Sequence, residues 1–488
     1  MLARRYLCTL LHAGCTTLMG LAWGCGGSSQ IAAIAPVGDP AQTWYVATTG
    51  SDSNPGTQSR PFLTISKGVT LLNAGGTLYV MSGVYHETVA VYSSGTDTSP
   101  INILAYPGQS PIIDGGGDLP ATVNGSLLEL AANYIYVSGF EVRNTNSSLR
   151  SNAGVVVLGN HDTLSSMNVH HAYSTGVLIT GDYDVVEYSS IWDNAYANCR
   201  ATGCPSSNYQ NGGWGTGVAA GGKAVHRTSL NAILRHNMIY NNWGEGLVTG
   251  EANGTIMEDN VSYDNWATNI YVLDASNVLV QRNLAYTTPG NPVGVSEKCI
   301  QMADEDASFT PRSANNTIVN NMCLNGAFYA YEWTGVPGSG LVNDLLADNT
   351  IINGWIQTGG PSNSPNPVVN SNSRIVNNIV VYSSKIAGAN AYSATIASIP
   401  AVDGLTFINN LWSIAAPSNA MSAKDVLGDP QLLATGAIAP GRLTSTYFEL
   451  SAGSPAAGAG YNLAPSITTD AFGQTRHATP TIGAYEMP

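Results

Sequence analysis

One asparagine returns along this chain at a fixed interval. In His236-Asn237-Met238-Ile239-Tyr240, Asp259-Asn260-Val261-Ser262-Tyr263 and Arg282-Asn283-Leu284-Ala285-Tyr286 it recurs every 23 residues, and it returns at wider spacing as Asn321, Asn349, Asn378 and Asn410. Each copy follows an aliphatic run, such as Ile233-Leu234, Val278-Leu279-Val280 or Ile375-Val376, and lies near Gly, Asn and Asp turn residues. A unit of roughly 22 to 30 residues with two or three short strands cannot bury its own apolar face, so the units must stack as a parallel solenoid. Stacking brings the repeated asparagines about 4.8 Å apart, where their amides can hydrogen-bond along a column. They read as a structural ladder. A leucine-rich repeat is excluded because its Leu/Asn consensus is missing, and helical repeats by the poverty of Ala, Glu, Lys and Leu runs.

A solenoid also accounts for length and composition. As a soft prior, 488 residues allow about three domains, but one repeat domain absorbs the same length. Charged residues make up only 10% of the chain, against roughly 25% in ordinary soluble proteins, while Gly reaches 53. Asn, Ser, Thr and Gly at the turns supply the solvation that charge does not. A net charge of −14, with no basic run, excludes a nucleic-acid partner, which needs clustered Lys and Arg. Disorder is excluded by 24 Tyr, 9 Trp and regular apolar spacing.

Residues 1–24, with Arg4 and Arg5 ahead of an apolar stretch, have the layout of a secretory signal. The ending Leu21-Ala22-Trp23-Gly24-Cys25 resembles a bacterial lipoprotein signal, which implies lipidation of Cys25 and a tether over residues 25–44. Plain secretion and an uncleaved anchor are the alternatives. The expected location is the cell surface or periplasm as a lipoprotein, otherwise the medium, with the membrane reached only through Cys25. Beyond the signal remain Cys199, Cys204, Cys299 and Cys323, enough for two bridges in an oxidising compartment. Cys199 with Cys204 would close a small loop, and Cys299 with Cys323 is the complementary pair. A metal site is the rival reading.

The segment 44–114 carries Tyr45-Val46-Ala47, Gly50-Ser51-Asp52-Ser53-Asn54-Pro55-Gly56-Thr57, Arg60-Pro61-Phe62, Gly83-Val84-Tyr85 and Ala105-Tyr106-Pro107-Gly108. These motifs resemble the opening of bacterial right-handed parallel β-helix proteins, among them calcium-dependent pectate lyases and related exported polysaccharide-active proteins. Asp470-Ala471-Phe472-Gly473-Gln474 through Ile482-Gly483-Ala484-Tyr485-Glu486 is similar to the closing segment of many such proteins. The resemblance implies an all-β chain, a right-handed parallel β-helix over residues 45–420 with a short β-rich closing segment over residues 421–488. A monomer is expected.

Aligning the coils on the residue that opens one strand gives Val218, Leu247, Ile270, Ile300 and Phe328. Four positions on stand Gly222, Glu251, Asp274, Asp304 and Glu332, so four consecutive coils place an acid in one column. Neighbouring charges about 5 Å apart repel by roughly 3 kcal/mol at an effective dielectric near 20. Either a cation sits among them or some carboxyls hold a proton. Asp306 and Glu305 add oxygens beside the column, enough for Ca²⁺, which takes six to eight. The alternative is a row of exposed turn acids pointing in different directions.

The resemblance implies a lyase that cleaves uronate glycans by β-elimination, Ca²⁺ acidifying the α-proton and a Lys or Arg removing it. Lys223, one position beyond the column on the preceding coil, is the first candidate, with Arg312 and His226 on loops that could fold back. Lys298 lies six residues before Asp304, about 20 Å along an extended strand, and is set aside on that ground. A hydrolase would instead use two of the four column carboxyls as acid and base. A non-catalytic surface protein that binds glycans or other cells is the third reading. Tyr173, Trp214, Trp243 and Trp266 all stand four positions before the strand reference and should stack at one turn. Packing is one use for them, and Trp243 and Trp266 are carried as sugar-binding candidates. Tyr271 and Tyr329 follow the reference by one, should point outward beside the carboxylates, and are the better sugar platforms.

Overall fold

The computed structural model describes residues 42–488 except 120–121, 146–152, 200–213, 223–228, 292, 294–297, 307, 309–311, 333–334, 360–365, 367, 387–392 and 400–402. Residues 25–41 of the expected tether, with Cys25, and Lys223, His226 and Cys204 lie outside the described residues, and the first strand begins at Thr43, inside the span expected for the tether. Within them the chain winds as a parallel β-helix of three sheets, with 13, 13 and 11 strands. A typical coil passes from Ile256–Glu258 in sheet 1 to Val261–Tyr263 in sheet 2 and then to Ile270–Leu273 in sheet 3. Each strand pairs in parallel with its counterparts one coil before and one coil after, from Thr43–Val46 to Val426–Leu427.

The corner between sheets 1 and 2 explains the repeated asparagine. One residue per coil there takes a left-handed turn, including Ser166, Tyr188, His236, Asp259, Arg282, Asn320, Asp348, Asn377 and Asn409, with φ between 50 and 60°. The turn drives the next residue inward. From Asn237 through Asn260, Asn283, Asn321, Asn349 and Asn378 to Asn410, each side-chain amide donates to the next Oδ1 at 3.0 to 3.1 Å. The same Oδ1 also accepts the backbone N–H of the preceding coil, and the amide's second hydrogen reaches a strand carbonyl, as from Asn260 to Leu234 at 2.8 Å. Asp425 ends the column by accepting the Asn410 N–H at 2.9 Å. The ladder therefore satisfies polar groups that the core would otherwise strand.

Inside, aliphatic residues from the three sheets meet: Leu234, Met257 and Val280 from sheet 1, Ile239 and Ala285 from sheet 2, and Val218, Leu247, Ile270 and Ile300 from sheet 3. Outside sheet 2, Trp192, Tyr240, Tyr263 and Tyr286 stack in file with centroids 5.8, 5.0 and 4.9 Å apart. Beyond Leu427 the closing segment adds no further strand; its two isolated antiparallel bridges, Leu432 with Leu450 and Thr469 with Thr475, are internal, and it holds to the solenoid by side-chain contacts and by the Gly483 N–H donating to the Asn377 carbonyl at 2.8 Å. Its Leu443, Phe448 and Ala484 pack on Tyr263, Tyr286, Leu324 and Ile352. Arg476 fastens it, buried between Glu486 at 3.2 Å and Asp348 at 3.7 Å and donating to Asn320 at 2.7 Å. Cys299 and Cys323 are bonded, as their count suggests, and Cys199 is disulfide-bonded. Among the described residues no helix is long and apolar enough to cross a membrane.

Two predictions follow from this core. Asn283→Ala strips the acceptor from Asn260 and the donor from Asn321 and Met257. The loss should lower unfolding free energy by at least about 3 kcal/mol in a denaturant titration, since each buried group left unmade costs about 1–3 kcal/mol. The second concerns Asp162 and Asp184, stacked at the start of sheet 1. Burial pushes their carboxyls up to about 9 and about 8, against the backbone N–H that each accepts. In an unfolded chain both titrate near 3.9. Between about pH 4 and pH 8 the folded protein keeps protons that the unfolded chain has shed, so stability declines as pH rises through that window. Asp184→Asn should match the parent at pH 4 and melt higher than the parent at pH 8.

Candidate active site

Sheet 3 carries the chemistry, and its register is the one read from the sequence: Val218, Leu247, Ile270, Ile300 and Phe328 pair in succession. At the strand ends Gly250, Leu273 and Ala303 pair, so Glu251, Asp274 and Asp304 follow in one column. Glu251 and Asp274 turn left-handed there, at φ 49 and 47°. All three acids are buried, not exposed on turns. Burial pushes Asp274 up to about 7, helped by the charges of Asp304 and Glu305 and opposed by two backbone N–H donors.

Glu332 leaves this column. A bulge at Ala330 and Tyr331 sets it opposite Ala303 rather than beside Asp304. The expected ligand set for Ca²⁺ is thereby dispersed, and oxygens of Asp274, Asp304, Asp306 and Glu332 meet the protein's own donors. Asp274 accepts the N–H groups of Glu305 and Asp306 on both oxygens at 3.0 to 3.2 Å. Asp304 accepts the Ser313 and Tyr331 hydroxyls, each at 2.8 Å, and the Gly340 N–H at 3.2 Å. Asp306 closes its own turn onto Ser308. Among the described residues no three His, Cys, Asp or Glu side chains are placed to share a metal ion. Among the described residues Glu251, Asp274, Asp304, Asp306 and Glu332 do not gather as a calcium cage; Asp274 and Asp304 tie loops to the solenoid. Arg312 is likewise a fastener, donating to the carbonyls of Pro337 at 3.0 Å and Asp306 at 3.4 Å.

The outer face of the same sheet holds a different cluster. Lys298 opens its strand and sets its ammonium 2.8 Å from Glu332 and 5.0 Å from the centre of the Tyr329 ring. Gln301 donates to the same Glu332 oxygen. Distance along the strand was the wrong measure for Lys298, because its partner arrives from the neighbouring coil. Glu245 opens the strand Glu245–Gly250 two coils earlier, and burial pushes it up to about 8, with Glu305 adding to the shift and Lys298 opposing it. Glu305 accepts the Tyr271 hydroxyl at 2.8 Å. The sequence reading set Lys298 aside and did not single out Glu245 or Gln301. A signal was present: Glu245 and Lys298 each stand two positions before a strand reference.

The aromatic candidates divide. Tyr271 and Tyr329 do point outward, pairing in column through Gln301, but at 2% and 9% exposure they are covered rather than open platforms. Tyr271 lies in a small outer apolar cluster with Ala219, Val248 and Ala303. Trp243 is buried with Ala195, Cys199 and Val293 and serves packing. Trp266 is partly buried, its ring centre 5.7 Å from that of the exposed Trp214.

The roles assigned to the buried column are testable. Asp304→Ala removes the anchor of Ser313, Tyr331 and Gly340. Its thermal midpoint should fall by several degrees, by the same amount in calcium as in a chelator; a fall seen only in calcium would restore a ligand role.

Two family models match the chain: one described as Pel9A-like, right handed beta helix region, over residues 44–203, and one described as right handed beta helix region, over residues 133–356. The chain is 32% identical over 129 residues to the uncharacterized protein YwoF of Bacillus subtilis, a stretch of 26% of this chain and 28% of that one. It is 40% identical over 80 residues to pectate lyase PEL9 of Emericella nidulans, covering 16% of this chain and 19% of that one. Both matches span less than a third of the relative. The solved structure of pectate lyase Pel9A superposes with a TM-score of 0.52 at 16% identity, over 91% of this chain and 96% of that one, a likeness of fold. The chain is an all-β, right-handed parallel β-helix protein that resembles the bacterial pectate lyases.

Proposed function

We propose that this protein is an exported polysaccharide lyase that cleaves a uronate-containing glycan by β-elimination on the outer face of sheet 3. The observation that carries the reading is the Lys298 ammonium, held over that face by Glu332 and Gln301. Once its own proton has passed to Glu332, 2.8 Å away, Lys298 takes the proton from the carbon beside the substrate carboxylate. The carbon–carbon double bond then forms as the glycosidic oxygen leaves, taking up a proton from water. An acidic chain is tolerated on a face with three glutamates because Glu245 holds a proton at neutral pH and Glu332 is paired with Lys298. Tyr271 donates to the third, Glu305. The likeness to pectate lyases supports the reaction class and the substrate class. The bonded Cys299 and Cys323 support an oxidising compartment, in keeping with the signal-like residues 1–24 and lipidation at Cys25. No step runs through calcium, because the acids expected to hold it are engaged elsewhere.

A hydrolase is the second reading, and Glu245 is what favours it. A carboxyl that keeps its proton to about pH 8 is suited to protonate a leaving glycosidic oxygen, with Glu305 or Glu332 as its ionised partner.

One pair of variants separates the two. Lys298→Arg keeps the positive charge and a contact to Glu332 but supplies no base at working pH, so unsaturated ends from uronate polymers should fall by about 10²-fold or more. Glu245→Gln should leave the product unsaturated. Reducing ends without unsaturation, lost in Glu245→Gln and kept in Lys298→Arg, would assign hydrolysis instead.

A further inference from the structure

Strand Lys298–Ala303 does not pair evenly with its neighbour Ala327–Glu332. Lys298 faces Ala327 and Ile300 faces Phe328, which leaves Cys299 as an extra residue between them. Such a residue reverses the in-and-out alternation of a strand on one side of itself. Here Cys299 and Ile300 both enter the core, with no measurable exposure, and Lys298 emerges on the outer face. The same step occurs two coils earlier at Glu245, Gly246 and Leu247, so the outward place of Lys298 belongs to the repeat and the uneven pairing arises against the following coil.

Cys299 is held in the core by its bond to Cys323, which lies in the sheet 2 strand Met322–Leu324 of the next coil, the coil that goes on to carry Tyr329 and Glu332. A sheet 3 strand of one coil and a sheet 2 strand of the next are thus joined beneath the outer face. The next coil is shaped around the joint: a Cβ on Gly326 would stand 3.0 Å from the Cys299 Cβ, so the closest neighbour above is a glycine. Earlier coils fill the equivalent inward place with Gly246 and Asn269, neither of which can make a covalent tie. In the coil that carries Lys298 the place is taken by a residue that makes one.

We propose that the Cys299–Cys323 disulfide is a positioning element of the site: by tying the Lys298 strand to the coil that carries Tyr329 and Glu332 it fixes Lys298 over Glu332, Gln301 and Tyr329. The inference rests on the reading of Lys298 as the base. It makes the activity of the folded protein depend on the bond, beyond any contribution to stability.

The test removes the bond in two ways, Cys299→Ala with Cys323→Ala and Cys299→Val with Cys323→Ala, the second restoring apolar volume without the tie. Each is assayed on a uronate polymer well below its own measured melting temperature. Both should lose roughly tenfold to a hundredfold in kcat with KM little changed, as expected when a reacting group is misplaced by about an ångström. The same Cys changes made in a Lys298→Arg background should add no further loss, because the group they position is already gone. Full kcat in both Cys variants would overturn the inference, as would rescue by the valine form or equal losses in both backgrounds. Failure of the underlying reading looks different: Lys298→Arg would itself be fully active.

Discussion

The inward asparagine at the corner between sheets 1 and 2 is the constraint on which the solenoid depends. Each coil must turn sharply, and the turn leaves a backbone N–H pointing along the axis into an apolar interior. A side-chain amide is the group that can accept that N–H, pass a hydrogen bond to the next coil and cap a strand carbonyl at once. Because the same residue does this on each of seven successive coils, the coils are locked at one spacing. The sheets then inherit their register from the corner.

A locked register turns sequence columns into neighbours in space. That is why the strand references in sheet 3 could be aligned before any coordinates, and why Glu251, Asp274 and Asp304 are neighbours in fact. It also explains the aromatic file on sheet 2, which the closing segment covers with Leu443 and Phe448.

What the columns could not convey is where a bulge intervenes and which way a side chain finally turns. Glu332 was placed with the other acids by counting, yet one irregularity at Ala330 and Tyr331 moved it against Lys298. Lys298 was set aside by counting along its own strand, although its partner Glu332 comes from the next coil. Such irregularities arise from packing and covalent ties between strands far apart in sequence, and no periodicity records them. Burial was equally hidden: Asp274 and Asp304 look like ligands in a sequence, and only the surrounding N–H and hydroxyl donors show that they fasten loops. The ladder of asparagines and the joining of Cys299 to Cys323 were legible because each rests on a repeat or a count rather than on local geometry.

The account stands or falls on where the glycan lies. A crystal structure of the Lys298→Arg protein with a uronate oligosaccharide should show the chain across the outer face of sheet 3, with the carbon beside one carboxylate facing the residue-298 side chain between Glu245 and Glu332. An oligosaccharide bound along sheet 1 or sheet 2, or with no uronate near that side chain, would contradict it.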